Sequence, residues 1–189
     1  RAIAQSGAAH HTFDPDDGRE IAGSFLNQLG GPSADDLMSM DVKRILEAAE
    51  KVAEESGQQT GRSQEPFYPV WGHEALPDDP RDLIASGAGS DVALLTGTNE
   101  DEMALWGVSG MDTDQAAEMV ARIADDPDAL VDVYRRRLGD ATPGWVACAI
   151  ASDLVFGIPA VRHAEYRSAH GADTWMYRFS WDSRASDGP

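Results

Sequence analysis

Basic residues and cysteine are scarce in this sequence. Its 189 residues include 33 acidic and 15 basic side chains, which gives a formal net charge of −18. Such a charge repels phosphate backbones, so nucleic acid and anionic membranes are poor partners. The single Cys148 cannot form an internal disulfide. Its apolar surroundings in WVACAIASDL predict a packed thiol rather than a nucleophile.

Long apolar runs, phosphate-binding loops and metal motifs are also missing. The continuous apolar runs are too short to cross a bilayer, so we expect no membrane span. His73 in GHEALP lacks the second histidine of a zinc HExxH motif. The acidic stretch DPDDG does not have the spacing of an EF-hand loop, and a turn leading into a helix explains it better. The sequence therefore predicts neither a metal nor an organic cofactor.

Three segments have the composition of strands. They are RAIAQSG near the start, SDVALLTG in the middle and the aromatic-rich TWMYRFSW near the end. SDVALLTG has no polar alternation, which is typical of a parallel sheet covered on both faces. RAIAQSG likewise reads as a short buried strand. Because helical segments separate these strands, the sequence predicts an α/β fold with a mainly parallel sheet.

The intervening segments show helical periodicity and capping residues. One helix is expected to follow Asp41 and to end near Gly57, before a polar loop QQTGRSQ. Another follows Asp126, and a long helix is predicted from about Pro143 to His170. A proline inside a helix removes a hydrogen bond, so we expect a kink or break at Pro159.

An acidic turn follows the middle strand. In LLTGTNEDEMALW the carboxylates of Glu100, Asp101 and Glu102 are consecutive. Ligands gather at the carboxyl ends of parallel strands, where one carboxylate could orient a catalytic histidine. The alternative is a solvated turn whose acids cap the following helix. The turn by itself leaves both interpretations open.

Four segments together resemble the carboxylesterase type B family, which includes cholinesterases and bacterial para-nitrobenzyl esterases. They are RAIAQSG, PVWGHEALPDDP, LLTGTNEDE, and SDLVFGIPAVRHA leading into TWMYRFSW. The resemblance implies a partial α/β-hydrolase fold, in which residues 1–189 form the C-terminal portion of a single catalytic domain. It also implies a carboxylic ester hydrolase, a serine esterase that works through an acyl-enzyme with a Ser–Glu–His triad.

The resemblance also implies roles for individual residues. The family's catalytic acid is the last carboxylate of a G-x-N-x-D-E turn, which corresponds to Glu102, with Asp101 as the fallback. The family's Gln-Ser-Gly strand end corresponds to Gln5, Ser6 and Gly7. Ser6 is accordingly expected to hydrogen-bond the Glu102 carboxylate and to hold its rotamer.

Two segments of the family pattern have no counterpart here. The Gly-x-Ser-x-Gly nucleophile elbow precedes the first strand in the family, and the catalytic histidine follows the last one. Ser6 in AIAQSGA is a weak alternative nucleophile, because Ala4 and Ala8 replace the elbow glycines. His163 and His170 fall in the predicted long helix, where a catalytic role is the less favoured reading.

His10 and His11 follow the first strand, where a solvated loop is favoured over the mouth of a site. We therefore expect an internal part of an esterase, either truncated or one chain of a nicked enzyme, and inactive alone. Its partners would be a small-molecule ester and the remaining part of the same enzyme, which would cover the exposed edge of the sheet.

Two alternatives belong to other functional classes. One is a non-catalytic, cholinesterase-like binding or adhesion protein, which keeps the fold without a working triad. The other is an independently folded chain with no activity. The cellular location is not determined by the sequence, which is compatible with a cytoplasmic or secreted bacterial-type protein without disulfides.

Overall fold

The computed structural model describes residues 1–60 and 67–181, for 56–60 the backbone only. The chain divides into two compact units. The larger unit comprises Arg1–His10 and the chain from Arg81 onward, and the smaller one comprises His11–Pro80. The assignment of all 189 residues to one catalytic domain stays a prediction. Most of the predicted loop QQTGRSQ lies outside the described residues.

A three-stranded parallel sheet lies in the larger unit. Its strands are β1 (Ala2–Gln5), β2 (Leu94–Asn99) and β3 (Thr174–Phe179), and β2 is central. Both pairings are parallel, with Leu94 in register with Ala2 on one side and Thr174 on the other. Parallel strands need crossover connections, and helices supply them here. The predicted α/β class is thus confirmed.

Eight helices accompany these strands within the described residues. In chain order they are α1 (Pro15–Gln28), α2 (Ala34–Ser39), α3 (Val42–Thr60), α4 (Pro80–Ala85), α5 (Thr113–Ile123), α6 (Pro127–Leu138), α7 (Pro143–Ser152) and α8 (Ile158–Ala169). Side-chain oxygens cap several of them: Asp14 on α1, Ser33 on α2, Asp112 on α5, Asp126 on α6 and Thr142 on α7. The cap at Asp126 confirms the helix predicted to follow that residue. The Asp14 cap confirms that DPDDG is a turn leading into a helix. Helix α3 continues past Gly57 to Thr60, because a single glycine weakens a helix without ending it.

The long helix is irregular before Pro159 rather than at it. A five-residue π-helical turn, Asp153–Gly157, joins α7 to α8. Pro159 then falls in the first turn of α8, where its missing N–H is tolerated. Pro159 also cannot donate to the carbonyl of Val155 four residues earlier, and His10 Nε2 donates to that oxygen instead. The predicted kink is therefore displaced to a widened turn.

By length and composition, the continuous helix Pro143–Ala169 passes the test for a membrane span. Isolated polar residues such as Asp153 interrupt its apolar runs but leave the helix apolar on average, so run length alone did not indicate it. Half of its most apolar 18-residue stretch is buried inside the protein, as in the core helix of a globular fold. Val146, Cys148 and Ile150 pack there with Val120 of α5.

Only one face of the sheet is covered by the described residues. Leu94, Thr96 and Thr98 point to the helical side and are at most 6% exposed. Ile3, Leu95 and Trp175 share one register row on the opposite face, with exposed fractions of 70%, 38% and 57%. The predictions of a buried first strand and of a sheet covered on both faces are thus wrong for this part of the chain.

Candidate functional site

The carboxyl ends of the three strands meet at one edge of the sheet. Ser6 directly follows β1, and its backbone N–H donates to the carbonyl of Gly97 in β2 over 2.9 Å. Glu100 directly follows β2, and its N–H donates to the carbonyl of Phe179 at the end of β3 over 2.8 Å. Residues just beyond β1 and β2 are therefore fixed relative to each other by the sheet itself.

Glu102 is the buried member of the acidic turn. It begins a 3₁₀-helix, Glu102–Trp106, and is 8% exposed. Its Oε1 accepts hydrogen bonds from Ser6 Oγ and from the backbone N–H of Asn99, the latter over 2.7 Å. Its Oε2 accepts one from Asn99 Nδ2 over 3.0 Å. Three donors thus satisfy the oxygens of a carboxylate that is almost fully withdrawn from solvent.

Ser6 reaches Glu102 from an unusual backbone conformation. Its φ is +55°, in the left-handed region that residues with a Cβ rarely occupy. Strain of this kind costs about 1–2 kcal/mol and persists where the surroundings fix it. Here the strand hydrogen bond to Gly97 and the side-chain bond to Glu102 hold Ser6 on both sides. The structure thus brings together the two residues that the resemblance paired.

The 3₁₀-helix is anchored to the helical layer. Ser152 at the end of α7 is 3% exposed, and its Oγ accepts a hydrogen bond from the N–H of Met103 over 3.0 Å. Trp106 stacks on Phe156 of the π-turn, with ring centroids 6.1 Å apart. These contacts fix the element that carries Glu102 against a buried helix.

A cavity of about 270 Å³ opens beside Glu102. It is lined by the acidic turn and by apolar side chains: Asn99, Glu100, Asp101, Glu102, Leu105, Trp106, Phe179 and Trp181. Glu100 is tied in an ion pair to Arg178, with 3.1 Å between Oε1 and the guanidinium. The wall therefore carries the restrained, buried carboxylate of Glu102 next to aromatic side chains. Such a lining suits a small molecule or side chain that has one polar group and an apolar remainder.

The capping interpretation of the acidic turn is wrong. Asp101 occupies the capping position of the 3₁₀-helix, but its side chain makes no capping hydrogen bond. Glu102 turns inward to Ser6 and Asn99 instead. Asp101 lines the same cavity, and its role as fallback acid stays a prediction.

None of the histidines in the described part of the chain is hydrogen-bonded to Glu102. His170 Nε2 bonds the carbonyl of Ala85 over 2.8 Å, and His11 stacks on Tyr68. Burial lowers the pKa of His10, despite an opposing hydrogen bond to the Val155 carbonyl. Burial also lowers the pKa of His163, and the nearby Arg167 adds to that shift. For His10 and His163, burial therefore favours the neutral imidazole.

Comparison with known proteins decides the family. The family described as "Carboxylesterase family" matches residues 1–189. The chain belongs to that family. A curated member, the para-nitrobenzyl esterase of Bacillus subtilis (strain 168), is 30% identical over 188 residues. The match covers 96% of this chain but 36% of that protein, so the chain spans little more than a third of its relative's length.

Solved structures place this carboxylesterase-family chain in the α/β-hydrolase fold. A carboxylesterase from Geobacillus stearothermophilus, EST55 at pH 6.2, superposes with a TM-score of 0.74 at 23% identity. It is matched over 97% of this chain and 38% of its own. A structure titled PNB esterase gives a TM-score of 0.69 at 27% identity, over 97% and 38% of the two chains. The predicted fold is confirmed.

The sequence did not reveal two residues of this candidate site. Asn99 supplies two of the three donors to Glu102, and Ser152 anchors the following helix. Asn99 stands inside the quoted G-x-N-x-D-E turn, three residues before the acid, so its proximity was visible. Ser152 gave no such signal, because it lies 49 residues beyond its partner Met103. Among the described residues, no cluster of three or more ligating side chains suits a metal.

Proposed function

We propose that this chain supplies the acid of a Ser–Glu–His triad in a carboxylic ester hydrolase, and that Glu102 is the acid. One observation supports this most: a buried carboxylate, held by Ser6 and Asn99, faces a cavity at the carboxyl edge of a parallel sheet. Polar groups that act on ligands gather at this edge in α/β folds. The chain's membership in the carboxylesterase family supports the reaction type.

In this mechanism Glu102 acts on the histidine rather than on the ester. Its carboxylate accepts the ring N–H of an imidazole, which fixes the tautomer and leaves the other ring nitrogen free to take a proton. A serine hydroxyl gives up that proton as it attacks the ester carbonyl, and the imidazolium returns it to the leaving alcohol. Water then hydrolyses the acyl-enzyme by the same route. Glu102 stays ionised and stabilises the imidazolium.

The serine and the histidine would come from the remaining part of the same enzyme. Two surfaces of the larger unit support such a partner. The outer edge of β1 has no neighbouring strand among the described residues. The open face of the sheet carries the apolar row Ile3, Leu95 and Trp175. Parallel sheets are covered on both faces, so an added strand and helices would bury these groups.

The substrate would be a small-molecule ester, and the 189-residue chain alone would be inactive. Loss of triad members lowers the rate by orders of magnitude, even when other parts of a site persist. The purified chain should therefore give no turnover of a nitrophenyl acetate above the buffer rate. Turnover that survives Ser6→Ala in the isolated chain would contradict this expectation.

The decisive experiment uses the full-length product of the gene that encodes these residues. Glu102→Gln should lower kcat for nitrophenyl ester hydrolysis by about 10³- to 10⁴-fold, because the neutral amide cannot stabilise the imidazolium. Glu165→Gln is the matched control: it makes the same change at an exposed position of α8 outside the cavity lining, and its rate should stay near that of the parent. A large loss in Asp101→Asn with an active Glu102→Gln would move the role to Asp101.

A third outcome would favour the non-catalytic alternative. If the full-length product hydrolyses no ester and carries no serine in its elbow, a binding function replaces the enzymatic one. Sequencing the gene on either side of these residues gives that answer before any kinetics are measured.

A further inference from the structure

The two oxygens of Glu102 are held by different donors. Among the described residues, Oε1 accepts two hydrogen bonds, from Ser6 Oγ and from the Asn99 N–H, whereas Oε2 accepts only one, from Asn99 Nδ2. An ionised carboxylate offers about four lone-pair sites, two on each oxygen. The capacity of Oε1 is therefore filled, and Oε2 keeps one lone pair for another donor.

The orientation of the Asn99 amide follows from chemistry. A carboxylate only accepts hydrogen bonds, so the amide nitrogen, and not its oxygen, must face Oε2. Asn99 is also the last residue of β2 and is paired with Phe179 of β3, which fixes its backbone. Both donors that Asn99 sends to Glu102 thus come from a residue that the sheet holds in place.

We propose that Asn99 is a positioning residue of the triad, and that it orients Glu102 so that Oε2 receives the N–H of the catalytic imidazole. The proposal rests on the proposed function, because it assumes that Glu102 is the triad acid. Ser6 and the Asn99 N–H fix Oε1, while the Asn99 side chain shares Oε2 with the imidazole. The hydroxyl of Ser6 and the side-chain amide of Asn99 therefore act on different oxygens and have separable effects.

Because Asn99 Nδ2 donates to the oxygen that would face the imidazole, its removal should shift the pH dependence of kcat/KM in one direction. A hydrogen bond from Asn99 Nδ2 draws negative charge away from the oxygen that faces the imidazolium. When that donor is removed, Oε2 stabilises the imidazolium more strongly. The acidic limb of the kcat/KM profile should then move to higher pH. Because Asn99 would not touch the substrate, KM should change little.

The test measures esterase kinetics of the full-length gene product in parallel variants. Asn99→Ala should lower kcat by about 10- to 100-fold, the usual effect of losing a group that orients a catalytic residue. Its KM should stay within about twofold of the parent value, and the acidic limb of its kcat/KM profile should move to higher pH. Asn99→Asp places a carboxylate against Glu102 and should shift the limb further upward. Ser6→Ala, which acts on Oε1, should lower kcat with a smaller shift of the limb.

Asn27→Ala is the matched control, since it makes the same substitution at an exposed position of α1 and should leave kcat and the profile unchanged. Urea unfolding of each variant separates positioning from stability. The proposal is overturned if Asn99→Ala leaves kcat unchanged, or if its acidic limb stays at the parent pH while kcat and the unfolding midpoint fall together. If Glu102→Gln is itself fully active, the proposed function fails first, which distinguishes the two failures.

Discussion

The phenol ring of Tyr177 occupies the space in which a side chain at Gly97 would stand. A Cβ placed on Gly97 would lie 2.4 Å from Cδ1 of that ring. The two residues are register partners in β2 and β3, and Gln5 of β1 reaches the Tyr177 hydroxyl over 3.4 Å. A glycine in the central strand therefore lets an aromatic ring lie flat across the sheet, two residues before Asn99.

Gly97→Ala should destabilise the protein. The added methyl group would contact the ring at a distance that carbon atoms do not tolerate, so Tyr177 or the strand must move. Overpacking of this kind costs typically 1–3 kcal/mol in the free energy of unfolding. Urea denaturation followed by far-UV circular dichroism should show the midpoint falling accordingly.

Gly23→Ala provides the matched control for this substitution. No atom lies near its would-be Cβ, and Gly23 stands inside helix α1, so alanine should raise stability by about 0.5–1 kcal/mol. In a Tyr177→Ala background, the cost of Gly97→Ala should shrink, which a double-mutant cycle measures. Equal effects of the two glycine substitutions would refute the packing explanation.

The strand pattern and the acidic turn were predictable because they depend on neighbouring residues. SDVALLTG indicates a strand by composition alone, and the cap at Asp126 depends on residues within one turn. The pairing of Ser6 with Glu102 is of another kind. It joins residues 96 positions apart, and only the family resemblance, not local spacing, pointed to it.

The predictions of a buried first strand and of a kink at Pro159 failed for a common physical reason. Burial depends on what lies across the sheet, and RAIAQSG has the composition of a buried strand although Ile3 is 70% exposed. Composition shows that a strand is apolar, but it does not show which of its two sides the described residues cover. The π-turn at Asp153–Gly157 was missed for a related reason: the Val155 carbonyl within it is bonded by His10, a residue 145 positions away in the sequence.

Tyr134 should titrate at unusually high pH. Its hydroxyl donates to Asp153 Oδ2 over 2.8 Å. Burial raises the pKa of Tyr134 to about 12, and the hydrogen bond and charge of Asp153 contribute in the same direction. Because the folded pKa lies above the unfolded value of about 10, the neutral phenol stabilises the fold fully below pH 10. That contribution is lost as the pH rises towards 12.

Tyr134→Phe should remove the highest step from the ultraviolet titration of the native protein at 295 nm. Asp153→Asn should lower the pH of that step, because it removes the charge that opposes ionisation. Tyr166→Phe, at a more exposed position on α8, is the control and should leave the step in place. A titration that is identical in Tyr134→Phe and the parent would show that the highest step belongs to another tyrosine and would contradict the raised pKa of Tyr134.

Cys148 should be unreactive in the native protein. It is fully buried in the core cluster around α7, and burial raises the pKa of its thiol to about 11. At pH 8 the thiol is therefore almost entirely neutral, and disulfide reagents attack the thiolate. Labelling with a chromogenic disulfide should be at least about a hundredfold slower in buffer than in denaturing urea.

A cysteine at an exposed position of the same helical segment provides the comparison. Ser168→Cys in a Cys148→Ala background should be labelled rapidly in buffer. Rapid labelling of native Cys148 would contradict the buried environment and would reopen a reactive role for this thiol.

Arg167 should stabilise the amino edge of the sheet, opposite the site. It is 6% exposed on α8, and its guanidinium donates to the carbonyls of Gly89 and Val92, just before β2. Its Nε also donates to Thr174 Oγ1 at the start of β3, over 3.3 Å. A planar fork can serve three acceptors in different directions, whereas a lysine ammonium on a flexible stem cannot reproduce that geometry.

Arg167→Lys should therefore lower the free energy of unfolding by about 1.5–3 kcal/mol, the usual net contribution of hydrogen bonds made by a charged group. Arg162→Lys makes the same substitution at an exposed position of the same helix and should stay within about 0.5 kcal/mol of the parent. Urea denaturation measures both variants under one condition. If the two substitutions cost the same, the buried hydrogen bonds of Arg167 do not hold α8 to the strands, and its burial is a matter of packing alone.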